Sequence, residues 1–175
     1  GRWLILAATP EEVLAMEPAV QREYAGAHLS LGLGERLLEG PEPDFAAAEA
    51  CLLGAVQQLE ALGLGKSIYV ANAYRQLSLI RAADRDNATA LAYAERAHEI
   101  LAFHFGEEDP LTLAANETIV RLQVELGEFG TAESLLRESL PIARRVVRMN
   151  SPEYVGLLLS GARIHTECGR LAEGE

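Results

Sequence analysis

The sequence predicts an all-α fold of antiparallel helix pairs stacked side by side. Three observations predict it. Ala and Leu lead a composition that is 49% apolar and 6% aromatic, which suits helices more than strands. A helical hairpin is legible between Asp109 and Leu140. Its pattern recurs upstream and downstream at a period of 42 residues, which marks an internal repeat.

The hairpin sets the pattern. The side-chain oxygen of Asp109 can cap a helix, and Pro110 suits the first helical position, where a missing N–H costs nothing. Leu111, Ala115, Ile119, Leu122 and Leu126 follow at helical spacing and form one apolar face. Gly127 ends that helix, because the residue after a C-cap takes positive φ. Phe129, Ala132, Leu135, Leu136 and Leu140 make the face of a second helix. Neither face can be buried alone, so the two helices pack on each other and on neighbours.

The 42-residue shift places small or apolar residues on one another. Ala132 falls on Ala90 and Ala48, Ser139 on Ala97 and Ala55, and Leu136 on Ala94 and Leu52. Pro110 falls forward on Pro152, and Gly127 on Gly169. Gly127, Phe129, Ala132 and Leu136 follow the order G-x-F-x-x-A-x-x-x-L, which resembles the tetratricopeptide repeat. The period of 42, and the run FGEEDP from Phe105 to Pro110, resemble the longer kinesin-light-chain type. The resemblance covers about residues 20–175. It implies a right-handed superhelical α-solenoid of about three and a half repeats, with a concave face lined by the first helix of each pair.

The chain is read as a single domain, residues 1–175. Residues 1–18 form an N-terminal segment, with repeats at about 19–63, 66–105 and 108–149 and an incomplete one at 151–175. Trp3, Leu4, Ile5 and Leu6 are expected to dock on the first helices. Thr9, Pro10 and Glu12 make a helix start, and Pro18 should kink or end that helix. A longer helix is expected from about Ala19 to Glu39, weakened by Gly26, Gly32 and Gly34 and ended by Gly40. Pro41, Glu42 and Pro43 read as an insertion in the first turn. Asp44 caps the next helix, Phe45 stands in for Phe129, and Gly63 and Gly65 end it. Ser67 caps a helix carrying Val70, Tyr74, Leu77 and Ile80. Its turn, Arg85 to Asn87, lacks the glycine. Ala88 to Phe103 follows as partner helix.

Pro141 falls inside the second helix of the third repeat and is expected to kink it. Asn150, Ser151 and Pro152 start another helix, to about Cys168. Gly169, Leu171 and Ala172 are expected to begin a turn and a further helix. An unfinished repeat, together with a first residue that is not Met, predicts a piece of a longer solenoid.

Charge and composition narrow the function. The formal net charge is −11, which argues against nucleic acid or an anionic membrane as partner. No apolar run approaches the ~20 residues of a membrane-spanning helix. Cys51 and Cys168 lie far apart in helical patterns and read as small core fillers in a reducing, cytoplasmic setting. His165 and Cys168 can meet on one helix face, but a zinc site needs three or four ligands and no second pair exists at metal spacing. His98 stands at the place of Leu140 and reads as packed between helices. Glu107, Glu108 and Asp109 lack EF-hand spacing and read as a solvated acidic loop at a helix N-terminus. No nucleophile elbow, P-loop or dinucleotide fingerprint occurs, so neither an enzyme activity nor a cofactor is expected.

Function is therefore expected to come from shape. Arg121 and Arg163 hold one position in successive repeats, with Leu79 as their counterpart one repeat earlier and Arg75 one turn away. Gln76, Thr118 and Ser160 share an adjacent polar register, and Glu117 and Leu159 flank the row. These nine residues are the expected lining of a groove that takes a protein or peptide, with an acidic or carboxylate-bearing segment fitting the arginines. The opposing reading is an ordinary charged surface, because Glu117 and Glu125 flank Arg121 and Glu167 lies four residues after Arg163. The main expectation is a protein–protein interaction scaffold. The alternative is a sensor or regulatory domain of a larger signalling ATPase or transcription regulator. An uncovered C-terminal end also offers a surface for self-association.

Overall fold

The computed structural model describes the backbone of residues 10–173. Trp3, Leu4, Ile5, Leu6 and Thr9 lie outside the described residues, as does the side chain of Cys168. Among the described residues the structure is helical, with turns and no strand. The helices are α1 (Pro10–Ala15), α2 (Pro18–Leu38), α3 (Phe45–Ala61), α4 (Ile68–Ala83), α5 (Asn87–Phe105), α6 (Pro110–Glu125), α7 (Phe129–Val146) and α8 (Pro152–Glu173).

The helix starts carry the period. The helices α4, α6 and α8 begin at Ile68, Pro110 and Pro152, each 42 residues after the last. The helices α3, α5 and α7 begin at Phe45, Asn87 and Phe129, at the same interval. Local chemistry fixes five of these six starts, α7 having no side-chain cap. The Asp44 side chain accepts from Ala47 N at 3.0 Å, Asp86 from Thr89 N at 3.2 Å and Asp109 from Leu111 N at 2.8 Å. The Ser67 and Ser151 hydroxyls accept from Val70 N and Tyr154 N at 3.4 and 3.2 Å. Of the two outcomes expected at Pro18 the helix ends rather than kinks: α1 stops at Ala15, and Pro18 opens α2 at a first-turn position.

The turns repeat as well. Gly127 has φ +78°, and Glu128 N donates to Gln123 O at 2.8 Å across it. Arg85, 42 residues earlier, has φ +61° with the matching bond from Asp86 N to Arg81 O at 2.9 Å. Both are Schellman closures, so the backbone keeps its left-handed turn even where the sequence supplies arginine.

The fold divides into two compact units, Gly1–Ile80 and Arg81–Glu175, and the division falls within α4. In the first unit α2 lies along α3. They approach closely at Gly34: a Cβ there would sit 2.9 Å from Leu52 Cγ and 3.3 Å from the Ala48 carbonyl oxygen. Gly26 and Gly32 face open space instead.

In the second unit α6 is the central helix and packs on α5, α7 and α8. One core joins Leu113, Val120 and Val124 of α6 to Ala132 and Ala143 of α7 and Tyr154, Leu157 and Ile164 of α8. A second joins Ala90 and Ala94 of α5 to Ile119 and Leu122 of α6, with Leu135 of α7 packed against it. The alanines at the repeating small positions, Ala48, Ala90 and Ala132, are fully buried. Each buried leucine here stabilises by about 1.5–3 kcal/mol relative to exposure.

Two C-terminal expectations fare differently. The helix α7 continues through Pro141 to Val146, and Pro141 is exposed, where water can reach the carbonyl it leaves without a partner. The expected turn at Gly169 is absent: α8 runs on to Glu173 as one helix. Continuing the helix through Gly169 keeps its backbone hydrogen bonds at a cost of about 1 kcal/mol for the glycine.

Candidate functional site

The expected groove residues sit on α4, α6 and α8. On α6, Glu117, Arg121 and Glu125 follow one another at four-residue spacing and form one ridge. Across from it, α8 carries Leu159, Ser160 and Arg163. The ridge and α8 are tied by an ion pair from Arg163 Nη1 to Glu125 Oε1. The hydrogen bond from Arg163 holds the Glu125 carboxyl below its usual range, with further help from the charges of Arg163, Arg121 and Arg85. The same bond raises Arg163. Both side chains remain exposed, so the pair contributes only about 0.2–1 kcal/mol to stability.

Glu117 has a different environment. Its Cγ and Cδ lie 2.7 Å from the point where a Cβ on Gly156 would stand, so the side chain rests on α8 because that residue is glycine. Burial pushes its carboxyl above the ordinary value; Arg121 opposes this and Glu153 adds to it. Arg121 is partly exposed, and Leu159 is 66% exposed. Ser160 is buried, and the Thr118 hydroxyl donates to the Ala114 carbonyl at 3.0 Å. Of the six residues expected in this unit, Arg121, Leu159 and Arg163 therefore present side chains to solvent, with Glu117 at the edge.

The three residues on α4 lie in the first unit. Leu79 is 48% exposed, and the Arg75 Nη2 donates to Asn72 Oδ1 at 2.8 Å. Gln76 is buried, and its Nε2 donates to Glu35 Oε1 at 3.1 Å. Asn72 Nδ2 donates to the same oxygen at 2.6 Å. A carboxylate on α2 is thus held by two amides beside an arginine.

Sequence reasoning missed Glu35 and found only one of the arginines that act on Glu125. Glu125 appears in sequence as the neighbour of Arg121, yet it pairs with Arg163, 38 residues on. That separation is one repeat less one helical turn, a signal that sequence could have given. Glu35 lies upstream of the insertion at Pro41–Pro43, which shifts its register.

Other expected sites resolve plainly. His98 is partly buried and its Nε2 lies 3.2 Å from Glu107 Oε2, so it meets the acidic loop beside its helix. Glu108 pairs with Arg145 of α7 at 2.5 Å. Among the described residues no three His, Cys, Asp or Glu side chains gather as a metal site, and no helix is long and apolar enough to cross a membrane. A groove of roughly 480 Å³ runs between α7 and α8, lined by Leu136, Leu140, Pro141 and Tyr154 with Arg137 and Arg144 among the residues at its lip.

Comparison with known proteins agrees with the helix pairs. Residues 69–145 match the family model described as tetratricopeptide repeat. The match spans α4 to α7, that is, two helix pairs with their Schellman turns. Over residues 69–145 the chain carries tetratricopeptide repeats, and the described residues are all-α, built of successive helix pairs as α-solenoids are. No curated protein matches it.

Proposed function

We propose that this protein is an interaction scaffold, and that the α6–α8 face holds an acidic segment or C-terminal carboxylate of its partner. The observation that carries the reading is the Arg163–Glu125 pair, in which a guanidinium of the row already grips a carboxylate. Arg121 lies close enough to the same carboxylate to lower its pKa. A ligand carboxylate would take the place of Glu125 between the two arginines, and Leu159 would supply apolar contact beside it. In the first unit, Arg75, Gln76 and Leu79 of α4 form a set of their own, with Glu35 as its internal carboxylate. The 42-residue spacing of helix starts supports the kinesin-light-chain-like type of repeat. Cys51, a free thiol, suits a cytoplasmic setting.

Fluorescence anisotropy with a short labelled peptide of Asp and Glu, against a Lys peptide of equal length, tests the reading. The acidic peptide is expected to bind and the basic one not. Glu125→Gln should tighten binding severalfold by removing the competitor. Arg121→Glu with Arg163→Glu should abolish it while far-UV circular dichroism stays unchanged. Undiminished binding by that double variant sinks the proposal.

A further inference from the structure

One residue of the second unit holds a conformation that its own side chain makes costly. Arg85, in the turn from α4 to α5, has φ +61°. Every other described residue with a left-handed φ is glycine: Gly40, Gly63, Gly106 and Gly127. Gly127 is the counterpart of Arg85 one repeat on. Glycine would make the same turn without strain, because the strain comes from the Cβ. Among the described residues the Arg85 side chain has no ion-pair partner to offset it. Backbone strain of this kind gathers where a side chain has a task.

The strained turn lies beside the carboxylate site. Ala90, just after it, belongs to the core that includes Leu122 of α6, and Ala82, just before it, packs against that core. Glu125 follows Leu122 by about one turn of α6. The helix α5 packs on the Ile119–Leu122 side of α6, and α8 packs on the Val120–Val124 side. Glu125 therefore has the Arg85 turn on one flank and Arg163 on the other, with Arg121 one turn before it on α6. The hydrogen bond from Arg163 does most to hold the Glu125 carboxyl below its usual range, and the charges of Arg121 and Arg85 add to it.

The other acidic groups near these arginines have places of their own. Asp86 caps α5, accepting from Thr89 N at 3.2 Å. Glu117 lies against Gly156. Asp84 is exposed beside Arg85, and Glu167 acts on Arg163 from one turn on along α8. Glu125 alone stands between all three arginines. A ligand carboxylate in its place would engage Arg163 and Arg121, and Arg85 on the opposite flank would be left to take a second.

We propose that Arg85 is the third arginine of this site, and that the site takes a pair of neighbouring carboxylates, one in place of Glu125 between Arg121 and Arg163 and one on Arg85. Adjacent acidic side chains supply such a pair, and so does a C-terminal Asp or Glu with its α-carboxylate. The proposal rests on the reading of the α6–α8 face as a carboxylate site.

The test is fluorescence anisotropy with three labelled peptides on one neutral Gly-Ser spacer. The first carries a single Glu and an amidated C-terminus. The second carries two adjacent Glu and an amidated C-terminus. The third ends in Glu with a free carboxylate. Wild type is expected to bind the second or the third about two- to fivefold tighter than the first. Which of them it prefers tells adjacent side chains from a C-terminus. Arg85→Gly should lower the preferred peptide to the affinity of the first, leave the first nearly unchanged, and melt at a higher temperature. Arg85→Lys keeps the charge and should keep part of the preference. A turn that is only strained would also melt higher as glycine, yet bind all three peptides as wild type does. That result overturns the proposal, as does equal binding of the three by wild type, and either leaves the carboxylate site itself standing. A wild type that binds none of them sinks the carboxylate site and this proposal with it.

Discussion

Two glycines in α2 should respond oppositely to the same substitution. Gly32→Ala and Gly34→Ala lie two residues apart in the interior of one helix. Replacing a helical glycine by alanine stabilises by about 0.8–1 kcal/mol through the backbone alone. At Gly32 nothing lies within 4 Å of the new methyl, so that gain should appear nearly whole. At Gly34 the methyl meets Leu52 Cγ at 2.9 Å, Leu52 Cδ2 at 3.0 Å and the Ala48 carbonyl oxygen at 3.3 Å. Leu52 is fully buried and Ala48 is backbone, so neither can give way cheaply. Overpacking of this kind costs about 1–3 kcal/mol. Gly34→Ala should therefore be up to ~2 kcal/mol less stable than wild type, and about 1–3 kcal/mol less stable than Gly32→Ala. Urea unfolding in dilute protein, followed by circular dichroism, measures both. Leu52→Ala offers an internal check. Alone it should cost about 2–5 kcal/mol, and in the Gly34→Ala background distinctly less, because the new methyl occupies part of the cavity. If Gly34→Ala stabilises as much as Gly32→Ala, the close α2–α3 approach is refuted.

The other predictions follow from single features. Arg85→Gly should raise stability by about 1 kcal/mol in thermal melts, because a left-handed conformation costs an L-residue about 1–2 kcal/mol and glycine much less. Glu117→Gln should stabilise at neutral pH and not at pH values below the ordinary carboxyl range. The folded state raises the Glu117 pKa, so the stability linked to its proton is full at low pH and lost as pH rises through the raised value. A melting-temperature difference that is the same at both ends of that range would contradict it. Leu157→Ala, at a fully buried position between α6, α7 and α8, should cost about 2–5 kcal/mol by urea unfolding. Asp109→Ala should cost about 1 kcal/mol through loss of its bond to Leu111 N, with Asn at that position retaining most of the stability.

The sequence by itself determined the elements whose causes are local. Capping aspartates, first-turn prolines and the glycine at 127 act within a few residues, so the helix starts and the period could be read directly. Even the glycine-free turn at Arg85 was placed correctly, because the pattern on either side demanded it. The family was legible for the same reason, since residues 69–145 carry that pattern. Tertiary structure decided what depends on which side chains meet. Arg163 takes its carboxylate from Glu125 on another helix, and Gln76 takes Glu35 from beyond the insertion. Glu117 is pushed up because Gly156 lets it lie buried on α8. The continuation of α8 past Gly169 was also decided there: the glycine permits a turn and permits a helix, and the structure takes the helix. A sequence states which conformations each residue allows. Packing chooses among them, and in this protein it also chooses which charges remain to meet a partner.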